Sequence, residues 1–242
     1  MTQSLFHEKI MAGETRIIMA SANEPLVEYD VGENATVHII SVLAQDSVGV
    51  QRARLQSGAK VYWYTILLGG NIEQEISTQL LGVGAVSYHY GLCFGKAQDR
   101  FMMNYWNEHQ AAATTGHIIV HGVLFGQAYA NFKGNIKIAQ TGHKTTASLT
   151  EHVLLLGERS RSAAVPQLEI NTNDVQAAHS AAATKIDEEQ LFYLASRGIS
   201  AEAGKQMIVR GFLEDIISHL PDIGLQDEVR KQIEHNLLYV AE

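Results

Sequence analysis

The stretch from Pro166 to Phe212 reads PQLEINTNDVQAAHSAAATKIDEEQLFYLASRGISAEAGKQMIVRGF and marks a change of pattern in this chain of 242 residues. Upstream of it short alternating apolar runs dominate, and downstream of it apolar residues recur at helical spacing. Within it, residues 167–170 alternate as a strand does, Asn171 to Asp174 form a polar turn cluster, and Val175 resumes a strand before an alanine-rich turn. His179 is predicted to lie where this strand gives way to the turn.

The second half of the stretch predicts two helices from their caps. Asp187 followed by Gln190 is a capping-box pattern, so the first helix is expected to begin at Asp187. It should end at Gly198, which suits the left-handed position after a helix, with Arg197 favourable at the negative end of the dipole. Ser200 is expected to cap the second helix, whose apolar positions are Val209, Phe212, Leu213, Ile216, Ile217 and Leu220.

The region from Arg16 to Val175 predicts one strand after another, with few helix signals. The expected strands cover residues 16–20, 36–43, 49–55, 60–67, 72–80, 85–94, 100–106, 117–125, 127–132, 135–140 and 152–156. Gly58, Gly84 and Gly116 precede apolar runs at loosely regular intervals, which suits the corners of a β-solenoid. On these signals alone a β-sandwich explains the strands nearly as well. After Pro221 a further amphipathic helix is predicted.

The residues of the opening stretch resemble a known family. PQLEI, then DV, a histidine four residues after that valine, KID, LFYL, SRGIS and GF are similar to the C-terminal signature of the SufB/SufD proteins, scaffold subunits of the Suf iron–sulfur cluster assembly complex. The resemblance is sharp over residues 154–212. It implies an all-β fold with C-terminal helices: a right-handed parallel β-helix core over residues 1–185 and a helical region over residues 186–242. It also indicates a short SufD-like member without the long N-terminal region of larger relatives, since strands begin by Arg16.

The resemblance further implies a function and two partners. The chain would be a non-enzymatic scaffold that dimerises through its β-helix with a second SufB/SufD-like copy, as a homodimer or heterodimer. A SufC-like ATPase of the ABC type would dock on the helices between residues 187 and 220. The expected contact residues for the ATPase are Phe192, Tyr193, Arg197, Gly198 and Phe212. The alternative for the aromatic residues is that they attach the helices to the solenoid.

Cluster chemistry is expected at two positions. His179 matches the family's functional histidine near the subunit interface, and a neutral imidazole is a good ligand for the iron of a transient iron–sulfur cluster. The alternative reading is a hydrogen bond from His179 to the turn at 171–174. SufB-type members carry a cysteine on or beside Glu151 and a glutamate at Ser180, and both departures make the chain more similar to SufD. A hard carboxylate at Glu151 is a poor replacement for a thiolate on a cluster.

Composition excludes several other classes of protein. With 18 basic and 26 acidic residues the formal charge is −8, which argues against a nucleic-acid binder. A single cysteine, Cys93, excludes an intrachain disulfide. It is expected to be a small buried apolar side chain, and the alternative is a thiolate that donates sulfur or binds iron. The N-terminal segment MTQSLFHEKI lacks the features of a signal peptide and no apolar run is long enough to span a membrane, so a cytoplasmic location is expected.

Eleven histidines invite the hypothesis of a metal site. His117 and His121 share one face of a predicted strand, but four strand residues span about 13 Å, too far for one ion. His89 lies in an alternating run and is expected to be packed or hydrogen-bonded. His219 and His235 are expected on the polar faces of the C-terminal helices.

Two other function classes stay open at this point. A β-helix enzyme acting on polysaccharide would need converging carboxylates, for which the candidates are Glu151, Glu158, Glu169 and Asp174. A structural homo-oligomer without cluster chemistry would need no polar cluster at its dimer interface.

Overall fold

A computed structural model describes residues 5–20 and 26–240 as fourteen strands followed by three helices. Residues 1–4 of the N-terminal segment considered above lie outside the described residues. The strands are β1 (Leu5–Ile10), β2 (Thr15–Met19), β3 (Leu26–Val31), β4 (Thr36–Leu43), β5 (Ser47–Leu55), β6 (Lys60–Leu67), β7 (Asn71–Leu80), β8 (Val86–Gly95), β9 (Arg100–His109), β10 (Thr115–Leu124), β11 (Tyr129–Ile138), β12 (Thr145–Leu155), β13 (Arg161–Ile170) and β14 (Val175–Thr184). The helices are α1 (Glu188–Ser196), α2 (Ala201–Ile217) and α3 (Ile223–Val240).

The strands form two parallel sheets between which the chain alternates. Sheet A contains the odd-numbered strands in the order β1-β3-β5-β7-β9-β11-β13, and sheet B contains the even-numbered strands from β2 to β14 in the same way. Each strand therefore pairs with the strand one full coil further along the chain. This winding is a parallel β-helix, which confirms the predicted fold class.

The coils lengthen along the molecule, and this explains the loose period of the sequence. Thr36 pairs with Lys60, Lys60 with Val86, Val86 with Thr115 and Thr115 with Thr146, which are offsets of 24, 26, 29 and 31 residues. Residues that stack on each other in neighbouring coils are therefore not separated by a constant number of residues in the sequence. A search for a single repeat length would miss the solenoid.

One column of corners turns the chain from sheet A into sheet B. At the first six of these corners one residue takes a positive φ, and these residues are Gly13, Asn34, Gly58, Gly84, Ala113 and Lys144. The backbone N–H of each donates to a carbonyl at the same corner of the following coil, as Gly58 does to Val83. Gly58 and Gly84 confirm the corner prediction. Gly116 does not, because it lies inside β10, where a side chain would collide with the His109 ring.

Two apolar clusters hold the layers together. The first fills the space between the sheets and includes Trp63, whose indole N–H donates to Thr78 Oγ1 at 3.0 Å. The second lies on the outer face of sheet B, where Val209 and Leu213 of α2 and Ile233 of α3 pack against strand residues. The helices therefore share a core with the β-helix. Among the described residues no helix is long and apolar enough to cross a membrane.

The observed strands differ from the predicted ones in several places. β1 and β3 were not predicted, and the separate strands at 127–132 and 135–140 are one strand, β11. Gly134 looked like a break, but it lies inside β11, where a side chain would collide with Leu149. The prediction of an alanine-rich turn is also wrong, because residues 175–184 form strand β14, which pairs with residues 145–154 of β12. His179 consequently lies in the middle of a strand and not at its end.

The helix caps agree with the prediction. The Asp187 carboxylate accepts from the backbone N–H of Glu189 at 2.9 Å, and the Ser200 hydroxyl accepts from that of Ala203 at 3.3 Å. Gly198 has φ +82° directly after the C-cap of α1. The second helix stops at Ile217, a few residues before Pro221.

Candidate functional site at the open end of the β-helix

The solenoid ends in two strands that each have one unpaired edge. Among the described strands, β13 pairs only with β11, and β14 pairs only with β12. We call this pair of strands the open end. The side chains of β14 are mostly short, and its alanines are Ala177, Ala178, Ala181, Ala182 and Ala183. Short side chains beside unpaired backbone groups leave room for another strand to approach.

His179 lies exposed on the open end. It pairs in register with Leu149, whose side chain is buried in the core, so the two side chains face the same way. No further coil covers His179, and its ring forms no hydrogen bond with the described part of the chain. The alternative bond to the turn at 171–174 is therefore not formed. Thr172 of that turn interacts with His143 instead, at 3.0 Å between Oγ1 and Nδ1.

Glu151 lies one strand further in, with only 2% of its surface exposed. Its Oε1 accepts a hydrogen bond from the Ser162 hydroxyl at 3.2 Å, whereas its buried Oε2 has no hydrogen-bond partner among the residues that the structure describes. Burial raises the pKa of this carboxyl from 4.5 to about 7, and the Ser162 bond opposes the shift. A carboxyl in this setting can take or release a proton near neutral pH.

The two predicted cluster residues are neighbours across the last strand pair. Glu151 pairs with Ala181, which lies two residues after His179 on the same face of β14. Strand and coil spacings place the Cα atoms of His179 and Glu151 about 8 Å apart. Ser180, the other position discussed above, pairs with Thr150 and faces the opposite side of the sheet. The sequence predicted both residues as candidates, and the register brings them together.

Cys93 confirms the prediction of a packed side chain. It is fully buried in β8, and its sulfur lies so close to Gly122 that an added Cβ there would be 2.8 Å from it. Burial raises the pKa of the thiol well above its ordinary value, with a further contribution from Glu151. A protonated, buried thiol is a poor nucleophile and a poor metal ligand.

His89 also behaves as predicted. It is buried inside the solenoid, its Nε2 is 3.1 Å from Thr65 Oγ1, and its ring centroid lies 3.8 Å from that of Tyr105. Burial lowers the pKa of His89 to about 3, so the imidazole is neutral at physiological pH.

His121 has a role that the sequence did not indicate, since it joins α2 to sheet B. Its Nδ1–H donates to the Phe212 carbonyl at 2.9 Å, its ring stacks on that of Phe212 at 4.6 Å, and its Nε2 is 3.7 Å from Asp215. His152 of the next coil lies beside it at 5.7 Å between ring centroids. His117 contacts other side chains: its Nδ1 is 2.6 Å from Ser148 Oγ, and its ring centroid is 5.0 Å from that of Tyr88. In the part of the chain that the structure describes, no three His, Cys, Asp or Glu side chains form a group that could hold a metal.

The expected partner-binding residues divide into two sets. Phe192 and Tyr193 of α1 are 77% and 58% exposed, and α1 has no buried residue. The Arg197 guanidinium lies over the Tyr193 ring at 5.4 Å, and Gly198 ends this exposed segment. Phe212 instead stacks on His121, so it attaches α2 to the solenoid, as the alternative reading had it.

The carboxylates proposed for polysaccharide cleavage do not converge. Glu151 is buried in the interior, whereas Glu169 is exposed on β13, where it accepts a hydrogen bond from Asn171. Glu158 and Asp174 are exposed in turns before β13 and β14. Acid–base hydrolysis needs two carboxyl groups facing one substrate, and these four do not provide them.

Comparisons with known proteins identify a family for this chain. The family described as "SUF system FeS cluster assembly, SufBD core domain" matches residues 9–212. The iron–sulfur cluster assembly protein SufD of Escherichia coli is 32% identical over 184 residues, 76% of this chain and 44% of the relative. SufD of Bacillus subtilis is 31% identical over 180 residues, 74% of this chain and 41% of the relative. An iron–sulfur cluster assembly SufBD family protein of Mycobacterium leprae is 30% identical over 179 residues, 71% of this chain and 20% of the relative.

The chain therefore spans less than half the length of these three curated relatives. The matched segment includes β-strands of both sheets, the open end, α1 and the part of α2 up to Phe212. Since the family match covers most of the chain, this protein belongs to the SufBD family of iron–sulfur cluster assembly proteins.

Proposed function

We propose that this chain is a non-enzymatic cytoplasmic scaffold subunit for iron–sulfur cluster assembly, with the open end as its working surface. The observation that carries the proposal is that an exposed His179 lies near a buried Glu151 with one unsatisfied oxygen, at an end with free strand edges. Membership of the SufBD family supports the role in cluster assembly. A second SufB/SufD-like copy, bound at this end, would complete the site.

The free edges support dimerisation. β13 and β14 expose unpaired backbone groups, and β13 also exposes the apolar side chains of Val165 and Ile170. Open strand edges pair readily with another strand unless they are blocked, and symmetric pairing with an equivalent edge would cover them. The dimer interface would then enclose His179 and the neighbourhood of Glu151.

Iron and sulfide are the cargo of this site, and the chain alone offers only part of a ligand set for them. His179 supplies an imidazole, and Glu151 supplies a carboxylate that must lose its proton before it binds iron. The only thiol, Cys93, is buried three strands from the edge of sheet B. A cluster prefers thiolate ligands, so the second copy would have to provide them if it is of the SufB type.

The exposed face of α1 supports the docking of a SufC-like ABC ATPase. Leu191 and Leu194 turn toward Gly204 of α2, which leaves Phe192 and Tyr193 facing outward. Two adjacent exposed aromatic residues on a capped helix are typical anchors for a protein partner. ATP hydrolysis in such a partner would rearrange the scaffold and admit iron and sulfide.

Anaerobic reconstitution tests the cluster site. Purified protein, with and without a SufC-like ATPase, is incubated with iron and sulfide, and bound iron, bound sulfide, the visible spectrum and the sedimentation coefficient are measured. We expect His179→Ala to bind at most a tenth of the iron that the wild type binds while keeping the sedimentation coefficient of the dimer. His235→Ala, which removes an exposed histidine on α3, is the matched control and should load as the wild type does.

The outcomes separate the parts of the proposal. Iron loading that survives in His179→Ala would exclude His179 as a ligand. A wild type that dimerises and binds the ATPase but takes up no iron would be an accessory subunit whose cluster chemistry lies in its partner. A monomeric wild type would contradict pairing through the open end.

Calorimetric titration tests the docking surface. We expect a Phe192→Ala/Tyr193→Ala double variant to bind a SufC-like ATPase at least tenfold more weakly, because two aromatic anchors are lost. Ile223→Ala is the control, since Ile223 is 74% exposed at the start of α3 and outside the proposed surface. Equal affinities for the double variant and the wild type would move the docking site elsewhere, and no binding by the wild type would refute it.

A further inference from the structure

A concave surface of about 370 Å³ lies where the strands β9, β11 and β13 of sheet A begin. Five residues line it: Arg100, Gln127, Tyr129, Arg159 and Arg161. We call it the arginine cradle. None of the lining residues is acidic, although the whole chain carries a formal charge of −8.

The fold assembles the cradle from three consecutive coils. Arg100 of β9 pairs in register with Tyr129 of β11, and Tyr129 pairs with Arg161 of β13. Successive coils are about 4.8 Å apart, so these three residues form a short ladder with the tyrosine in the middle. The Arg100 guanidinium lies 5.3 Å from the Tyr129 ring centroid, a cation–π distance that orients it. Arg159 joins the ladder from the turn before β13.

These arginines differ from most others in having no carboxylate partner in the described part of the chain. Five of the nine arginines form ion pairs with carboxylates: Arg16, Arg52, Arg54, Arg210 and Arg230. Arg197 lies over Tyr193, and the remaining three are all in the cradle. The nearby Asp99 carboxylate already accepts from the backbone N–H groups of Gly70 and Lys96.

Three guanidinium groups around one cavity repel each other unless an anion lies between them. Guanidinium groups bind phosphate and carboxylate oxygens through paired N–H donors, and the Gln127 amide and the Tyr129 hydroxyl add further polar groups. The cavity volume lies within the usual range for small-molecule sites. A single monovalent anion would leave two of the charges uncompensated, whereas a compact trivalent anion would balance all three.

We propose that the arginine cradle binds a small phosphorylated molecule through a diphosphate group. Three positive charges match the charge of one diphosphate, and the clustering of all three on one concavity favours a compact ligand. An extended nucleic acid would require a long row of basic residues. The three arginines are instead confined to one concavity of a chain whose formal charge is −8.

Isothermal titration calorimetry with inorganic diphosphate at low ionic strength tests this proposal. We expect wild-type protein to bind with a submillimolar dissociation constant, and Arg100→Gln/Arg161→Gln to bind at least tenfold more weakly. Arg54→Gln is the matched control, because Arg54 is exposed on the same sheet but paired with Glu28 at 3.2 Å. It should bind as tightly as the wild type.

Four results would overturn the assignment. The wild type could fail to bind diphosphate, or Arg54→Gln could lose as much affinity as the cradle variant, which would indicate attraction by diffuse charge alone. Citrate, a trivalent carboxylate, could bind as tightly as diphosphate, which would exclude recognition of phosphate. Sedimentation of the cradle variant is measured in parallel, and a changed oligomeric state would show that Arg161 serves the edge of β13 and not a ligand.

Discussion

Replacing Gly82 with alanine should lower the free energy of unfolding by about 3 kcal/mol or more, a large fraction of a typical protein's stability. A Cβ at this position would lie 2.0 Å from the backbone nitrogen of Ser57 and 2.3 Å from the backbone carbonyl carbon of Gln56. These are main-chain atoms of the preceding coil, so no change of rotamer can relieve the collision. The corner would have to open, and the bond from the Gly82 N–H to Leu55 would be lost with it.

Urea unfolding followed by circular dichroism measures this effect. Gly211→Ala is the matched control: Gly211 lies in α2 with no atom within 4 Å of an added Cβ, so alanine should stabilise the helix by about 1 kcal/mol. The same substitution should thus have opposite signs at the two sites. A Gly82→Ala protein within about 1 kcal/mol of the wild type would show that neighbouring corners can separate at little cost.

Replacing Glu151 with glutamine should change stability in a way that depends on pH. The free energy of unfolding of the variant minus that of the wild type should be larger at alkaline pH than at acid pH. The folded state raises the pKa of Glu151 from 4.5 to about 7, so the folded protein holds this proton more tightly than the unfolded chain. The carboxyl therefore contributes stability below the unfolded pKa, and that contribution is lost as the pH rises through about 7. The full effect corresponds to about 3 kcal/mol.

Denaturation of the two proteins between about pH 4 and pH 8 measures this difference. The glutamine side chain does not titrate, so the stability of Glu151→Gln minus that of the wild type should increase across this range. Glu169→Gln removes an exposed carboxylate on β13 and reports the contribution of net charge alone. A difference that is flat, or that decreases with pH, would show that Glu151 is ionised at little cost in the folded protein.

The pH experiment also bears on the proposed function. If a second copy covers the open end, Glu151 becomes still less accessible to water, and its pKa in the dimer should rise further because burial opposes ionisation. If iron binds to its unsatisfied oxygen, the bound metal instead favours the ionised form. Dimerisation and iron binding should therefore shift the pKa of Glu151 in opposite directions.

Local signals in the sequence were sufficient to predict where α1 and α2 begin and where α1 ends. Asp187, Ser200 and Gly198 act on the backbone within a few residues of themselves, through hydrogen bonds or through the freedom to adopt a positive φ. Such effects depend little on distant parts of the chain. The predicted starts of α1 and α2 and the end of α1 were correct for this reason.

Strands were harder to predict from the sequence where their stability comes from pairing with a neighbouring strand. The alanine-rich run of β14 has low strand propensity and forms a strand because ten of its residues pair with β12. Gly134 similarly looks like a break, yet it remains in β11 because β9 and β13 hold it from both sides. Pairing across a sheet overrides propensity in both cases.

The sequence by itself determined the starts of α1 and α2 and the end of α1, most of the strands, the net charge and the resemblance that led to the SufBD family. Only the tertiary structure decided which side chains meet. His179 and Glu151 are 28 positions apart, and Arg100 and Arg161 are 61 apart, counted along the sequence. Their proximity depends on coils of 29 to 32 residues at this end of the molecule, and the raised pKa of Glu151 depends on burial between strands. Register and burial are properties of the stacked coils, and no local run of residues encodes them.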